Sequence, residues 1–575
     1  MENVVKTDLL VIGGSLAGLC AAITAKENNS ELNVTVVEKY TSGYAGKANR
    51  GAGIMDAMAG VDPERYVEYH TRYNGDYLND QDFLRDYANG LDKSVELLDK
   101  WSGGKVSKTH DGGFRYLKWR AQITGKDEYG KLTFDNKDDF PWTLVAVDLD
   151  YMVNMRNYAA KAGIKFIDRT GVVDFLKDGE RISGAVGYNI DDGSQTVFQC
   201  KAVVLATGAC NYRIMPMWSG GRGEGIAAAY RAGAQFRNCE FGSFYNWTSL
   251  ENFESSMGVE YALYNKNGEN VCQKYSSGHH SDVDAYSIAE YYKQTKAGNG
   301  PLTYRMEENP LMPFLMQCCG SSAYFDRPFA DKFWNNLFFN AFSQATNNEC
   351  VPGLVAEFAG LQVGRDFQSS VPGLFAAGDI CHSGGSYHGA TTPPVRVRGS
   401  GLANAQYSGR LAGENSAAFA LGHDFGKIDE AAIQAIDAHF KKPGNQNGTV
   451  SVMEFLPEIH NVMQPLGNSL YRSEERLTKA LARVKELQEK LPVLKADDPH
   501  NLFGCLELES MLICAEMFFT TSLLRKESRG WFLREDYPDK AEEIMWYTCR
   551  MGDDGSLTTG SERVPIETYK YQPEA

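Results

Sequence analysis

The apolar run Thr7 to Ile12 (TDLLVI) reads as a short buried parallel strand, and the glycine-rich stretch after it leads into a helical pattern, LCAAITAKENN. A second apolar run, Val34 to Val37, ends in Glu38. Apolar residues at Phe83, Tyr87, Leu91, Val95 and Leu98 give the period of an amphipathic helix. Between Val172 and Cys200 the chain alternates in short segments (VVDFL, ISGAVGY, TVFQC), as a small β-meander would. It then enters another apolar strand that ends in Ala206-Thr207-Gly208. Leu374 to Ala377 repeats that pattern and ends in Gly378-Asp379. Leu477, Leu481, Val484, Leu487 and Leu491 recur at near-heptad spacing and predict a packed helix near the carboxy terminus. Buried parallel strands alternating with helices, followed by a helical region, predict an α/β fold with a Rossmann-like domain.

The first glycine turn carries the earliest chemical signal. In Gly13-Gly14-Ser15-Leu16-Ala17-Gly18, Gly13 lets the chain turn off the strand and Gly18 lets the helix pack on the sheet, so the helix amino terminus offers free N–H groups to a pyrophosphate. Ser15 stands where the dinucleotide fingerprint has its middle glycine. Glu38 follows Gly18 by the expected interval; at a strand end its carboxylate accepts hydrogen bonds from ribose hydroxyls and repels the extra phosphate of NADP. The later strand ending in Ala206-Thr207-Gly208, after the meander, resembles the return strand of a flavoprotein's FAD domain, where the glycine lets the chain pass close to the dinucleotide, and a second such strand ends in Gly378-Asp379. Asp379 falls near the dinucleotide's ribityl or pyrophosphate groups, and a helix from about Gly401 to Leu411 is aimed at the O2 edge of a flavin. Three segments thus converge on one FAD. The sequence contains no second such fingerprint in a βαβ setting, which argues against a separate NAD(P)H domain.

Composition narrows the field. A chain of 575 residues predicts two or three packed domains, and 43% hydrophobic with 23% charged residues is globular. The net charge of -16 disfavours nucleic acid and anionic membrane as partners. No basic and apolar leader and no apolar run of roughly eighteen residues is visible, so a cytoplasmic location is expected. The 12 cysteines lack C-x-x-C spacing, which places any iron–sulfur cluster on a partner; the adjacent Cys318 and Cys319 read as buried apolar residues. His279 and His280, with Asp282 and Asp284, read as a solvated loop rather than a metal site, and no metal is expected.

Taken together, GGSLAG with Glu38, the segment Thr41 to Gly53, Ala206-Thr207-Gly208, Gly223-Glu224-Gly225 with Arg231 to Ala234, and LFAAGD resemble the fumarate reductase/succinate dehydrogenase flavoprotein superfamily. Asp82 to Tyr87 and the tail, Leu524 to Gly530 with Trp531 to Pro538 and a chain-end β segment from Val564 to Tyr571, resemble the alpha subunit of adenylylsulfate reductase. The resemblance implies an FAD-binding domain in two parts, 1–234 and 351–425, an inserted α+β capping domain at 235–350, and a C-terminal helical domain with tail at 426–575. It implies FAD contacts from Gly13, Gly14, Ser15, Ala17, Gly18, Glu38, Lys39, Gly46, Gly51, Ala206, Thr207, Gly208, Gly378, Asp379, Ser400 and Leu402. Three departures alter the expected chemistry. Where fumarate reductases carry a histidine and an arginine for the substrate carboxylates, this chain has Phe244 to Trp247 and Asp284 to Ser287; a further active-site histidine is replaced by Phe358. Ser42-Gly43 occupies the place of the histidine that binds FAD covalently, so FAD is expected to be noncovalent.

Hydride transfer at flavin N5 needs a stacked substrate and a proton donor or acceptor. The residues expected to serve are His388, Tyr245, Tyr286 and Arg398, with Trp247, His382, Arg396 and Asp56 as further candidates near the substrate side. The function expected is an FAD-dependent oxidoreductase acting between a small organic substrate and an iron–sulfur (ferredoxin-like) subunit. Two alternatives stay open: a self-sufficient flavin oxidase or dehydrogenase, similar in plan to aspartate oxidase, and a noncatalytic FAD-bearing subunit. The tail from Ser528 to Tyr537 either docks the carrier, caps the helical domain or makes a homo-oligomer contact.

Overall fold

The computed structural model describes residues 4–49, 53–117, 122–126, 132–135, 141–148, 150–214, 221–241, 245–251, 262–271, 285–305, 308, 348–354, 360–382, 399–445, 447–530 and 532–574. Five parallel strands form the central sheet, in the order Leu374–Ala376, Ala202–Leu205, Leu9–Ile12, Val34–Val37, Lys165–Ile167. The apolar runs in the sequence are continuous because both faces of this sheet are covered. Helix Leu16–Asn28 follows the first strand, and helix Ser400–Leu421 packs against it. The two approach closely because Gly409 and Gly413 carry no side chain: a Cβ on Gly409 would lie 2.4 Å from the Ala17 carbonyl oxygen, and one on Gly413 would lie 2.3 Å from that of Ala21.

The meander is present as strands Thr170–Asp178, Arg181–Asn189 and Gln195–Gln199, with Val4–Lys6 added parallel to the last. Helix Gln81–Ser102 begins at Asp80, whose side chain accepts from the amides of Asp82 and Phe83, and it buries all five apolar positions read from the sequence. At the root of the insertion, strand Tyr245–Ser249 pairs antiparallel with Cys350–Leu354, so the outgoing and returning chain run side by side. In helix Glu474–Lys490, Leu477, Val484 and Leu487 are buried and Leu481 is partly buried, as is Leu491 just past its end; the helix packs against helix Pro499–Leu524. The chain-end β segment falls elsewhere than expected. The tail strands are Met545–Met551 and Leu557–Arg563, and the stretch from Val564 onward holds a short 3-10 turn. Gly555, at φ +79°, reverses the hairpin, and Pro565 lacks the N–H a continuing strand would use. Strand Met545–Met551 pairs with Phe236–Arg237, which pairs in turn with Leu361–Gln362. The tail is therefore woven into the junction between the insertion and the second FAD segment.

Arg525, Glu527, Arg529 and Arg534 of the tail are turned inward and buried. Arg525, fully buried, donates to Glu240 Oε1 and to Glu527 Oε1, each at 2.7 Å; Arg529 Nε donates to the other oxygen of Glu527 at 2.8 Å. Arg534 donates to both oxygens of Asp536, at 2.7 and 2.8 Å. Burial pushes the Glu240 carboxyl above its ordinary range, and Arg525 opposes that shift. This part of the tail thus fastens the helical domain to the insertion root. Replacing Arg525 with Met should cost about 3–5 kcal/mol, because the buried Glu240 carboxylate loses its paired cation and Glu527 keeps only Arg529. Denaturant unfolding of the variant checks this, and an unchanged midpoint would contradict it.

Candidate functional site

A cavity of about 500 Å³ opens at the carboxyl ends of the central strands, the position that open parallel sheets use for ligands. Gly13, at φ +107°, turns the chain off its strand; a Cβ there would lie 2.3 Å from the Ala206 carbonyl oxygen, so no other residue fits. Gly18 packs equally tightly on the carbonyl of Gly13. Helix Leu16–Asn28 presents its first turn to the cavity, as does helix Ser400–Leu421 through Gly399, Gly401 and Leu402. The two helices run in the same sense, since Gly409 faces Ala17 and Gly413 faces Ala21. Their starting residues then differ by eight positions in register, which puts the second amino terminus about 12 Å farther along. Two N–H-rich ends at that separation suit an elongated ligand with a pyrophosphate near one and an electron-rich ring edge near the other.

Glu38 forms part of the cavity wall. It accepts from Gly14 N at 2.7 Å and from Tyr40 N at 3.0 Å, and only 8% of it is exposed. Burial raises its carboxyl above the ordinary value, with the two amides opposing. Lys39 also lines the cavity, its ammonium paired with Glu224 and with Glu507, the latter at 2.8 Å; burial works against the charge, but the two carboxylates outweigh it. Lys47 lies 3.5 Å from Asp379 at the other end. The Thr207 hydroxyl is buried in the wall and has no hydrogen-bond partner in the protein, so a polar ligand would satisfy it. A Cβ-free approach at Gly13 and Gly46, a carboxylate for ribose hydroxyls and two helix amino termini fit FAD.

Comparison with known proteins agrees with that geometry. Residues 8–249 match the FAD binding domain family, and residues 458–575 match the fumarate reductase flavoprotein C-terminal family. The flavoprotein subunit of the 8-methylmenaquinol:fumarate reductase of Wolinella succinogenes is 26% identical over 98% of this chain and 92% of its own length. The chain belongs to the fumarate reductase/succinate dehydrogenase flavoprotein family. It binds FAD and is an FAD-dependent oxidoreductase. Its fold is that of two solved structures, each 21% identical: a variant of E. coli quinol fumarate reductase, with TM-score 0.79 over 100% of this chain and 99% of the other, and the adenylylsulfate reductase of Archaeoglobus fulgidus, with TM-score 0.74 over 98% and 96%.

Of the residues expected to hold FAD in this flavoprotein, Gly13, Ser15, Ala17, Glu38, Lys39, Gly46, Ala206, Thr207, Gly208, Gly378, Asp379 and Leu402 line the cavity. Gly14, Gly18 and Ser400 stand behind the wall, where Gly14 holds Glu38 through its amide. Gly51, His388, Arg396 and Arg398 lie outside the described residues, as do Cys318, Cys319, His279, His280 and Phe358. Of Tyr245, Tyr286 and His382 only the backbone is described, in strand Tyr245–Ser249, helix Ala285–Lys296 and strand Cys381–His382. Trp247 is buried against Tyr291, edge to face at 5.6 Å, as core of the insertion. Asp56 is fully buried, and its amide donates to the carbonyl of Gly399 at 3.2 Å, directly behind the start of the second helix. Sequence reading missed Thr170, Gly171, Phe175, Arg222 and Phe503 as cavity residues. Apolar side chains in a meander and in a helix otherwise given over to core carry no sequence signal of a ligand.

Glu38→Gln should weaken FAD retention by about 1.5–3 kcal/mol through loss of a charge-assisted hydrogen bond to the ribose. Titration of flavin-depleted protein with FAD measures the change, and equal affinity would remove Glu38 from the binding set.

Proposed function

We propose that this flavoprotein moves electrons between a small organic substrate and a separate iron–sulfur carrier subunit in the cytoplasm. The observation that carries the reading is the match, along nearly the whole length of both chains, to a relative named as a flavoprotein subunit, combined with one cavity built for FAD from three chain segments. When bound, FAD supplies a two-electron acceptor or donor that exchanges single electrons with a cluster. The protein's part is to hold it: two helix amino termini favour negative charge at the pyrophosphate and at the ring edge, and Ser42-Gly43 offers no histidine for a covalent link. The nine described cysteines are all buried and free of disulfides, which suits a reducing compartment. No helix among the described residues is long and apolar enough to cross a membrane.

The substrate we infer is neither a C4 dicarboxylate nor adenylylsulfate. Tyr245 and Tyr286 stand in the segments where fumarate reductases hold the cations, and a buried anion without paired cations costs several kcal/mol. His388, Tyr245, Tyr286 and Arg398 are the residues proposed for substrate contact and proton transfer. The complex isolated from its native host should contain iron, show a cluster signal by electron paramagnetic resonance after dithionite reduction, and turn over fumarate well below roughly 1 per second. An iron-free preparation with full turnover between substrate and a soluble acceptor would overturn the carrier; rapid fumarate reduction would overturn the substrate class.

A further inference from the structure

The cavity has a polarity that identifies its ends. The first helix amino terminus marks the pyrophosphate position, while Asp379 and Gly399 lie toward the flavin. On the opposite side, beyond Glu38, the wall continues through Gly171 and ends at Phe503. That end is where the adenosine half of FAD must lie, because Glu38 is the ribose carboxylate. Phe503 does not belong to the FAD domain. It sits near the start of helix Pro499–Leu524, within the region that matches the C-terminal family rather than the FAD binding family.

We propose that the C-terminal helical domain forms the adenosine-recognition wall of the FAD site, through Phe503 and Glu507 one helical turn apart. Residues four apart share a helix face; Phe503 lines the cavity there, while Glu507 stands behind the wall against Lys39, which also lines it. The Phe503 ring is 4% exposed and seated against Gly171, where a Cβ would come within 2.4 Å of the ring; its other side rests on Phe440 at 5.0 Å between centroids. Glu507 accepts from Lys39 at 2.8 Å and from Arg213 at 2.5 Å, and so fixes the residue that follows Glu38. An aromatic face backed by other rings offers a stacking platform for a base, and the buried Glu507–Lys39 pair keeps the ribose carboxylate in place beside it. FAD bound here bridges two domains, so its adenosine half reports on the helical domain.

The inference rests on FAD binding, and its test separates the two. FMN has the flavin but no adenosine. Release of FAD from diluted holoprotein is followed by the rise in free-flavin fluorescence, and FMN affinity is measured on flavin-depleted protein, for the native chain, Phe503→Leu and Glu507→Gln. Phe503→Leu should weaken FAD about tenfold while FMN stays within about twofold, the loss expected for one aromatic–base stack. Glu507→Gln should narrow the preference for FAD in the same direction; it keeps the proposal testable if the Phe503 variant fails to fold. Unchanged FAD release in a variant with a native unfolding transition would overturn the proposal, as would equal weakening of FAD and FMN. A native chain that binds neither flavin would instead overturn the FAD assignment itself.

Discussion

The closeness of two helices sets the rest of the site. Helix Ser400–Leu421 lies against helix Leu16–Asn28 at a distance that only Gly409 and Gly413 permit, with Ala17 and Ala21 opposite them. The small residues do more than save space. They fix the register that puts Gly399, Gly401 and Leu402 beside the same cavity as Gly13 and Ser15, although nearly 400 residues separate them in the chain. They also bring Gly378, whose amide donates to the Ser408 hydroxyl at 2.8 Å, under the first helix. Were the helices farther apart, each amino terminus would remain an anion site, but the two would no longer serve one ligand.

Around that contact the chain closes in layers. The sheet supplies Glu38 at the end of strand Val34–Val37 and the turn at Ala206 to Gly208 after strand Ala202–Leu205, while the long helix of the carboxy-terminal domain closes the far end through Phe503, with Glu507 behind it on Lys39. The helical domain is held by charge as well as by apolar packing. Arg525, buried between Glu240 and Glu527, ties the end of helix Pro499–Leu524 to the root of the insertion, and the tail hairpin adds a strand pair with Phe236–Arg237. Burying such groups costs desolvation that only complete pairing offsets, so the network fixes one arrangement of the three regions rather than adding much stability.

How far the sequence discloses this depends on the range of each signal. The strand, glycine turn and carboxylate from Leu9 to Glu38 are local and legible, because strand burial, turn geometry and ribose chemistry each demand particular residues at short spacing. The helix at Gln81–Ser102 is equally legible from its period and its Asp80 cap. The chain-end β segment lies earlier than the resemblance places it, because the hairpin that Gly555 reverses is complete before Val564. Phe503 and Phe175 were invisible as cavity residues, since an aromatic side chain facing a ligand and one facing the core obey the same pattern. Gly409 and Gly413 read as ordinary helix residues until the neighbouring helix is known.

One close helix pair assembles the FAD site, and Gly413→Val probes that dependence. A valine there meets the Ala21 carbonyl and must push the helices apart, at a cost of about 1–3 kcal/mol from overpacking. The measurement is the FAD content per chain after gel filtration, beside the far-ultraviolet circular dichroism of the same sample. The expected variant is a folded protein with native helix content that has lost most of its flavin. A variant that keeps one FAD per chain at native affinity would contradict that dependence.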